Sequence, residues 1–199
     1  MIRLEHVYFK YDDQVVFANL NATILAGLNI VVGGEGSGKT SLLRLLAKQL
    51  PMQGGLVSSG TALDGDYSVY FADPKSDAFD QISAADYFET LTTNYPEFDQ
   101  NMARDIAVSL GLESHLAKPM YMLSTGSKRK VWIAAGFASR AQLTLIDEPY
   151  AALDGPSSRM LTELFIEASQ HKTRSWLIAD YQLPRAVTAI DLACVIDLG

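Results

Sequence analysis

Apolar and polar residues alternate along residues 2–9 and about 15–25, the period-two pattern of half-buried strands. Tyr11-Asp12-Asp13 supplies the turn between them. Ile30-Val31-Val32 then reads as a buried strand, and Ser41 to Lys48 as a helix. Gly54-Gly55 and Ser58-Ser59-Gly60 mark turns around a short strand, and Tyr67 to Phe71 reads as another. From Asp73 to about Arg140 the period changes to that of helices. Ser83-Ala84-Ala85-Asp86 predicts a capping box at the start of one, and Gly111 ends the helix that carries Ile106 to Leu110. Pro119 breaks the chain before a helix from about Ser127 to Ser139. Leu143 to Ile146 reads as a buried strand. Met160, Leu161, Leu164, Phe165 and Ala168 share one face of the next helix. Trp176 to Ala179 and Leu192 to Ile196 are two more apolar strands. Strands alternating with helices predict an α/β fold with a mainly parallel sheet, preceded by an antiparallel β region. The helical stretch, about 73–139, reads as a subdomain inserted into a single domain of residues 1–199, with the core from about 1–72 and 140–199.

Between the strand at Ile30 and the helix at Ser41 lies Gly33-Gly34-Glu35-Gly36-Ser37-Gly38-Lys39-Thr40, which satisfies G-x-x-x-x-G-K-[ST]. Glycines let successive N–H groups point inward as an anion nest. Lys39 adds a point charge for the β- and γ-phosphates of a nucleotide, and the Thr40 hydroxyl is a ligand for Mg²⁺. The strand, loop and helix together define a P-loop NTPase in expectation. Such a site needs a second group for the metal, and an apolar strand ending in an acid supplies it. Asp147 fills that role, and Glu148 beside it is placed to orient or deprotonate an attacking water. Small GTPases and nucleotide kinases usually reach the metal-side acid much sooner after the loop. Here the helical stretch fills the gap.

Bulk properties narrow the partners. Net charge is −7 over 199 residues, which disfavours a nucleic-acid-binding role, and none is expected. The basic run Lys128-Arg129-Lys130 reads as a solvated helix face. The single cysteine, Cys194, excludes an internal disulfide, favours a reducing compartment and reads as a small core residue. No run of roughly 18 apolar residues is present, so the chain is expected not to span a membrane by itself, and its first residues lack a signal-peptide layout. His6, His115 and His171 match no ligand or catalytic spacing and are expected at the surface or half-buried.

Two further segments carry a resemblance. Leu123-Ser124-Thr125-Gly126-Ser127-Lys128-Arg129-Lys130 resembles the LSGGQ signature and its basic tail, and Asp147-Glu148-Pro149-Tyr150-Ala151-Ala152-Leu153-Asp154 resembles the DEP-x-x-x-LD segment of the ATP-binding cassette family. These are the nucleotide-binding subunits of ABC transporters, and the resemblance spans the chain with its motifs in order. It implies that Tyr11 stacks on adenine and that Gly33 to Ser41, including Ser37, cradle the phosphates. It also implies that Ser124, Thr125 and Gly126 face the γ-phosphate held by a second subunit in a head-to-tail dimer. Physically, a Ser-x-Gly turn at a helix N-terminus offers N–H groups and a positive dipole end to an anion, while Ser124 also suits a plain helix cap. Asp154 is implied to reach across the dimer interface, or to cap the helix that follows it. The cofactors implied are ATP and Mg²⁺. The partners are a second cassette, in a homo- or heterodimer, and an integral-membrane permease that holds the subunit at the inner, cytoplasmic face of the membrane.

Thr125 and Ser127 soften the signature, and two residues expected of the family are missing. Ala72 stands where the family usually has a glutamine that contacts Mg²⁺ and water, and Ala179 where it usually has a histidine that contacts the γ-phosphate. Alanine can do neither. Loss of one such contact typically costs roughly a hundred- to a thousand-fold in rate, so the expectation is an ATPase that binds Mg·ATP well and turns it over slowly, unless Asp73, Gln81 or Gln182 substitutes. The competing expectation is a soluble, non-transport cassette acting as an ATP-gated dimerisation switch. A third, a small-molecule kinase, leaves Ser124 to Gly126 and Asp154 unexplained.

Overall fold

The computed structural model describes residues 1–60, 67–73, 76–182, 184–187 and 190–199. Two sheets organise it. In the first, β1 (Ile2–Tyr11) pairs antiparallel with both β2 (Gln14–Ile24) and β4 (Gly54–Ser59), giving the order β2-β1-β4. The second is formed by β3 (Gly27–Val32), β5 (Val69–Phe71), β6 (Leu143–Asp147), β7 (Ser175–Asp180) and β8 (Cys194–Asp197), all parallel, in the order β5-β6-β7-β3-β8. The chain is thus α/β with a parallel sheet and an N-terminal antiparallel region.

The parallel strands are apolar on both faces because both are covered. Helix α1 (Lys39–Leu46) buries Leu42, Leu43 and Leu46 in a core shared with Phe9, Ile24 and Val31, between the two sheets. A second core lies on the other face. There α4 (Thr125–Ala138) and α5 (Gly155–Ser169) pack Val131, Phe137, Leu161 and Phe165 around Trp176. Helices α2 (Ala84–Asn94) and α3 (Gln100–Ser109) join this second core between β5 and β6 in the chain, with Phe88, Leu91 and Ile106 buried. The capping box at Ser83 is present: its hydroxyl accepts from Asp86 N, and Asp86 accepts from Ser83 N.

Three expectations are corrected. Cys194 is half-buried rather than enclosed, because it opens β8, the edge strand, where one side of the pleat meets only part of the core. The helix expected from Ser127 begins at Thr125, because the Ser124 hydroxyl accepts from Ser127 N (3.1 Å) and fixes the cap earlier. The run Lys128-Arg129-Lys130 is not a solvated face: Arg129 and Lys130 are each 8% exposed. Lys128 pairs with Asp80 at 2.5 Å, Arg129 donates to the Ala151 carbonyl, and Lys130 pairs with Asp154 at 2.7 Å. Each charge has a partner from a distant part of the chain, and that permits its burial.

Candidate functional site

Register places the site. Val32 of β3 pairs with Asp180 of β7, and Asp147 of β6 pairs with Ala179, so three parallel strands end at one level. In an open α/β sheet, ligands bind outside the carboxyl ends of the strands. From that edge the chain leaves β3 through Gly33 and enters α1 at Lys39. Gly38 sits at φ 97°, and a Cβ there would press on Val16 and the Phe17 ring, so the loop turns into the helix only with glycine. The first turn of α1 then points its N–H groups into a cleft of about 360 Å³.

Of the residues expected at the site, Tyr11, Glu35, Gly36, Gly38, Lys39, Thr40, Ser41 and Glu148 line this cleft. Tyr11 stands at its mouth, 42% exposed, edge-on to Phe9 with ring centroids 4.8 Å apart. Its hydroxyl accepts from Ser41 Oγ at 3.4 Å. Lys39 is buried and its Nζ donates to the carbonyls of Gly33 (2.6 Å) and Gly34 (2.7 Å). Thr40 Oγ1 donates to Asp147 Oδ2 at 2.7 Å, which ties the phosphate loop to the end of β6. Two oxygen donors meeting beside an anion nest suit a hard divalent cation, so this pair fits Mg²⁺.

Burial pushes the Asp147 carboxyl up, partly offset by the Thr40 hydrogen bond. Burial also raises Asp180. Glu148 takes a left-handed backbone, φ 46°, and its N–H is held by the Ala179 carbonyl at 2.9 Å. For a residue with a side chain such a conformation is strained and persists only when its surroundings fix it.

Ser124, Thr125, Gly126 and Asp154 do not line this cleft; the first three form the start of α4, and Asp154 lies at the start of α5, paired with Lys130 of α4. A Cβ on Gly126 would overlap the Ala152 carbonyl oxygen, so the turn is seated directly on the loop after β6. Asp154 caps α5 by accepting from Ser157 N at 2.8 Å. The Lys130 ammonium and this cap hold its carboxyl well below the usual carboxylate range.

Three residues escaped the sequence reading. Burial lowers the pKa of the Arg129 guanidinium, and the nearby carboxylates of Glu148 and Asp147 offset this only in part. Gln14 lines the cleft from the start of β2. Tyr181, just past β7, lines it next to Lys39 and Glu148. An exposed aromatic directly after a strand that ends at the ligand edge was the available signal for Tyr181. Of the expected substitutes for the missing side chains, Asp73 pairs with Arg44 at 2.5 Å, and neither Gln81 nor Gln182 lines the cleft. Ala72 is half-buried, and Ala179 is fully buried within the core between the sheets.

Fold and loop together define a nucleotide-binding P-loop protein. A family model described as ABC transporter matches residues 17–151. The chain belongs to this family, as an ATP-binding subunit with ATPase activity. The taurine import ATP-binding protein TauB of Escherichia coli K12 is 26% identical over 193 residues, covering 94% of this chain and 76% of that protein. Its counterpart in Escherichia coli O157:H7 is 27% identical over the same span. Among solved structures, an ATP-binding subunit of an ABC transporter superposes with a TM-score of 0.78 at 19% identity, covering 92% of this chain and 80% of its own. MJ1267, an ATP-binding cassette of an ABC transporter in its ADP conformation, gives 0.71 at 14% identity, with 94% and 83% covered. These two likenesses show the fold.

Proposed function

We propose that this subunit binds Mg·ATP in the cleft at the carboxyl edge of the parallel sheet and hydrolyses it slowly to drive a separate integral-membrane permease. The observation that carries the reading is the 2.7 Å bond between Thr40 and Asp147, with Glu148 next in the chain. Tyr11 offers its face to adenine. The N–H groups of Gly34 to Ser41 take the phosphates, and Lys39 exchanges its loop carbonyls for β- and γ-oxygens. Thr40 and Asp147 would hold Mg²⁺, which would supply neutralisation of the phosphate charge. Glu148 orients and deprotonates the attacking water. A second cassette, identical or homologous, presents Ser124, Thr125 and Gly126 to the γ-phosphate and Asp154 to the interface. Their place outside the phosphate cleft of their own chain supports this head-to-tail arrangement.

Slow turnover follows from Ala72 and Ala179, whose methyl groups offer neither a metal ligand nor a donor. Among the described residues no helix is long and apolar enough to cross a membrane, which fits a peripheral subunit held at the cytoplasmic face by its permease. The residues divide into one cassette, with about 73–139 as its helical subdomain. The test is ATP turnover by the purified chain with Mg²⁺, beside Glu148→Gln and Lys39→Ala and a nucleotide titration. Low turnover that vanishes in Glu148→Gln, with nucleotide binding lost in Lys39→Ala, is expected. Turnover that survives in Glu148→Gln would overturn the assignment of the base.

A further inference from the structure

The end of β7 carries a side chain that no nucleotide motif claims. Tyr181 follows Asp180, whose Oδ1 accepts the Tyr181 N–H at 2.7 Å. The ring lies over the Lys39 ammonium, with Nζ 4.5 Å from the centroid. A lysine ammonium has three donors. Two go to Gly33 and Gly34, and the ring covers the side that remains. The ammonium is therefore fully engaged before any phosphate arrives. A nucleotide competes with these contacts for Lys39, and the ring, 51% exposed, is not held by the core.

Glu148 lines the same cleft as this side chain, and its charge pushes the Tyr181 phenol up. The Glu148 backbone is already fixed by its bond to Ala179, so the freedom left to its carboxylate is rotation of the side chain. A tyrosine hydroxyl in the same cleft is a donor suited to that carboxylate, and such a bond would remove this freedom. Ala179, two positions before Tyr181 and buried, does not line the cleft.

We propose that Tyr181 is a positioning residue with two separable parts: its ring parks Lys39 against the loop carbonyls until nucleotide binds, and its hydroxyl aims the Glu148 carboxylate. The inference rests on the proposed roles of Lys39 and Glu148. It assigns to a tyrosine beyond β7 the control of site geometry that Ala179 cannot exert.

The parts separate in Tyr181→Phe and Tyr181→Ala, read by steady-state Mg·ATP turnover and by titration with a fluorescent ADP, with Glu148→Gln alongside. Tyr181→Phe keeps the ring, so ADP affinity stays within about twofold while kcat falls about tenfold at unchanged KM, the effect of a loosened base. Tyr181→Ala lowers kcat similarly and binds ADP about three- to fivefold more tightly, since the cation–π contact no longer competes for Lys39. Equal kcat in Tyr181→Phe and wild type, or unchanged or weaker ADP binding in Tyr181→Ala, overturns the proposal. Turnover that survives in Glu148→Gln condemns the base assignment instead, and ADP binding by Tyr181→Ala then decides the role of the ring alone. The same titration decides if the wild type shows no turnover.

Discussion

The Lys130 ammonium stands 2.7 Å from Asp154 Oδ2, and this pair fastens the helix behind the signature-like turn to the loop that leaves β6. Lys130 is enclosed while Asp154 faces solvent, so removing the acid strands a cation in the protein interior. Asp154→Ala therefore lowers the melting temperature by losing both the ion pair and the α5 cap. Asp154→Asn keeps the cap, since asparagine accepts from Ser157 N, and falls between the two. Thermal melts of the three proteins check the ranking. Equal melting temperatures for Asp154→Asn and Asp154→Ala would show that the cap contributes nothing.

Arg129 makes a second buried attachment between the same elements, through the Ala151 carbonyl. Arg129→Met preserves much of the volume and removes the donor. It leaves that carbonyl unpartnered and the Asp147–Glu148 pair without its neighbouring cation. A loss of about 2 kcal/mol is expected in urea unfolding. Turnover should fall by more than the loss of folded protein explains. A variant as stable as wild type would refute the account of the buried arginine.

Gly126 has no room for a side chain against Ala152. Gly126→Ala must push α4 away from the loop after β6, at a cost of about 1–3 kcal/mol. A denaturation midpoint equal to wild type would show that the two segments separate freely.

Removal of the metal separates the roles of Thr40 and Lys39. In EDTA, wild type and Thr40→Ala should bind nucleotide with similar affinity, because the nest and Lys39 remain. With Mg²⁺, wild type should bind more tightly while Thr40→Ala gains little. Isothermal titration in the two buffers reads the difference, and a full Mg²⁺ gain in Thr40→Ala would remove Thr40 from the metal site.

Alkaline pH should loosen the fold through its buried tyrosines. Burial pushes Tyr67 and Tyr87 up to about 12 and Tyr70 well above its ordinary value. An unfolded tyrosine ionises near about 10. A folded pKa above the unfolded one gives stability that is whole below pH ~10 and is lost as pH rises through the folded values. The urea midpoint should therefore fall between pH 9 and pH 11. Tyr67→Phe, which also loses the bond to the Leu46 carbonyl (2.9 Å), should start lower and fall less. Identical midpoints for the wild type at the two pH values would contradict the assignment.

The strands and the phosphate loop were legible because their signals are local: alternation from residue 2, an apolar triplet before Gly33, a cap at Ser83. The meeting of Thr40 with Asp147 was legible too, since the two motif positions imply one shared ion. The burial of Lys128-Arg129-Lys130 was not. A charge run reads as solvated unless its counter-charges are visible, and Asp80, Ala151 and Asp154 lie far away in the chain. Tyr181 was hidden for the opposite reason. Ala179 and Ala72 mark where side chains are missing, whereas the occupant of the cleft stands two positions beyond one of those gaps.

Seen mechanically, the seating of Gly126 on Ala152, the Arg129 bond and the Lys130 pair are three rivets through one joint. A rotation of α4 has no slack to take up before it pulls on the segment that begins with Asp147 and Glu148. Movement at the signature-like turn and alignment of the strand-end acids are then a single stroke, like a crank keyed to its shaft.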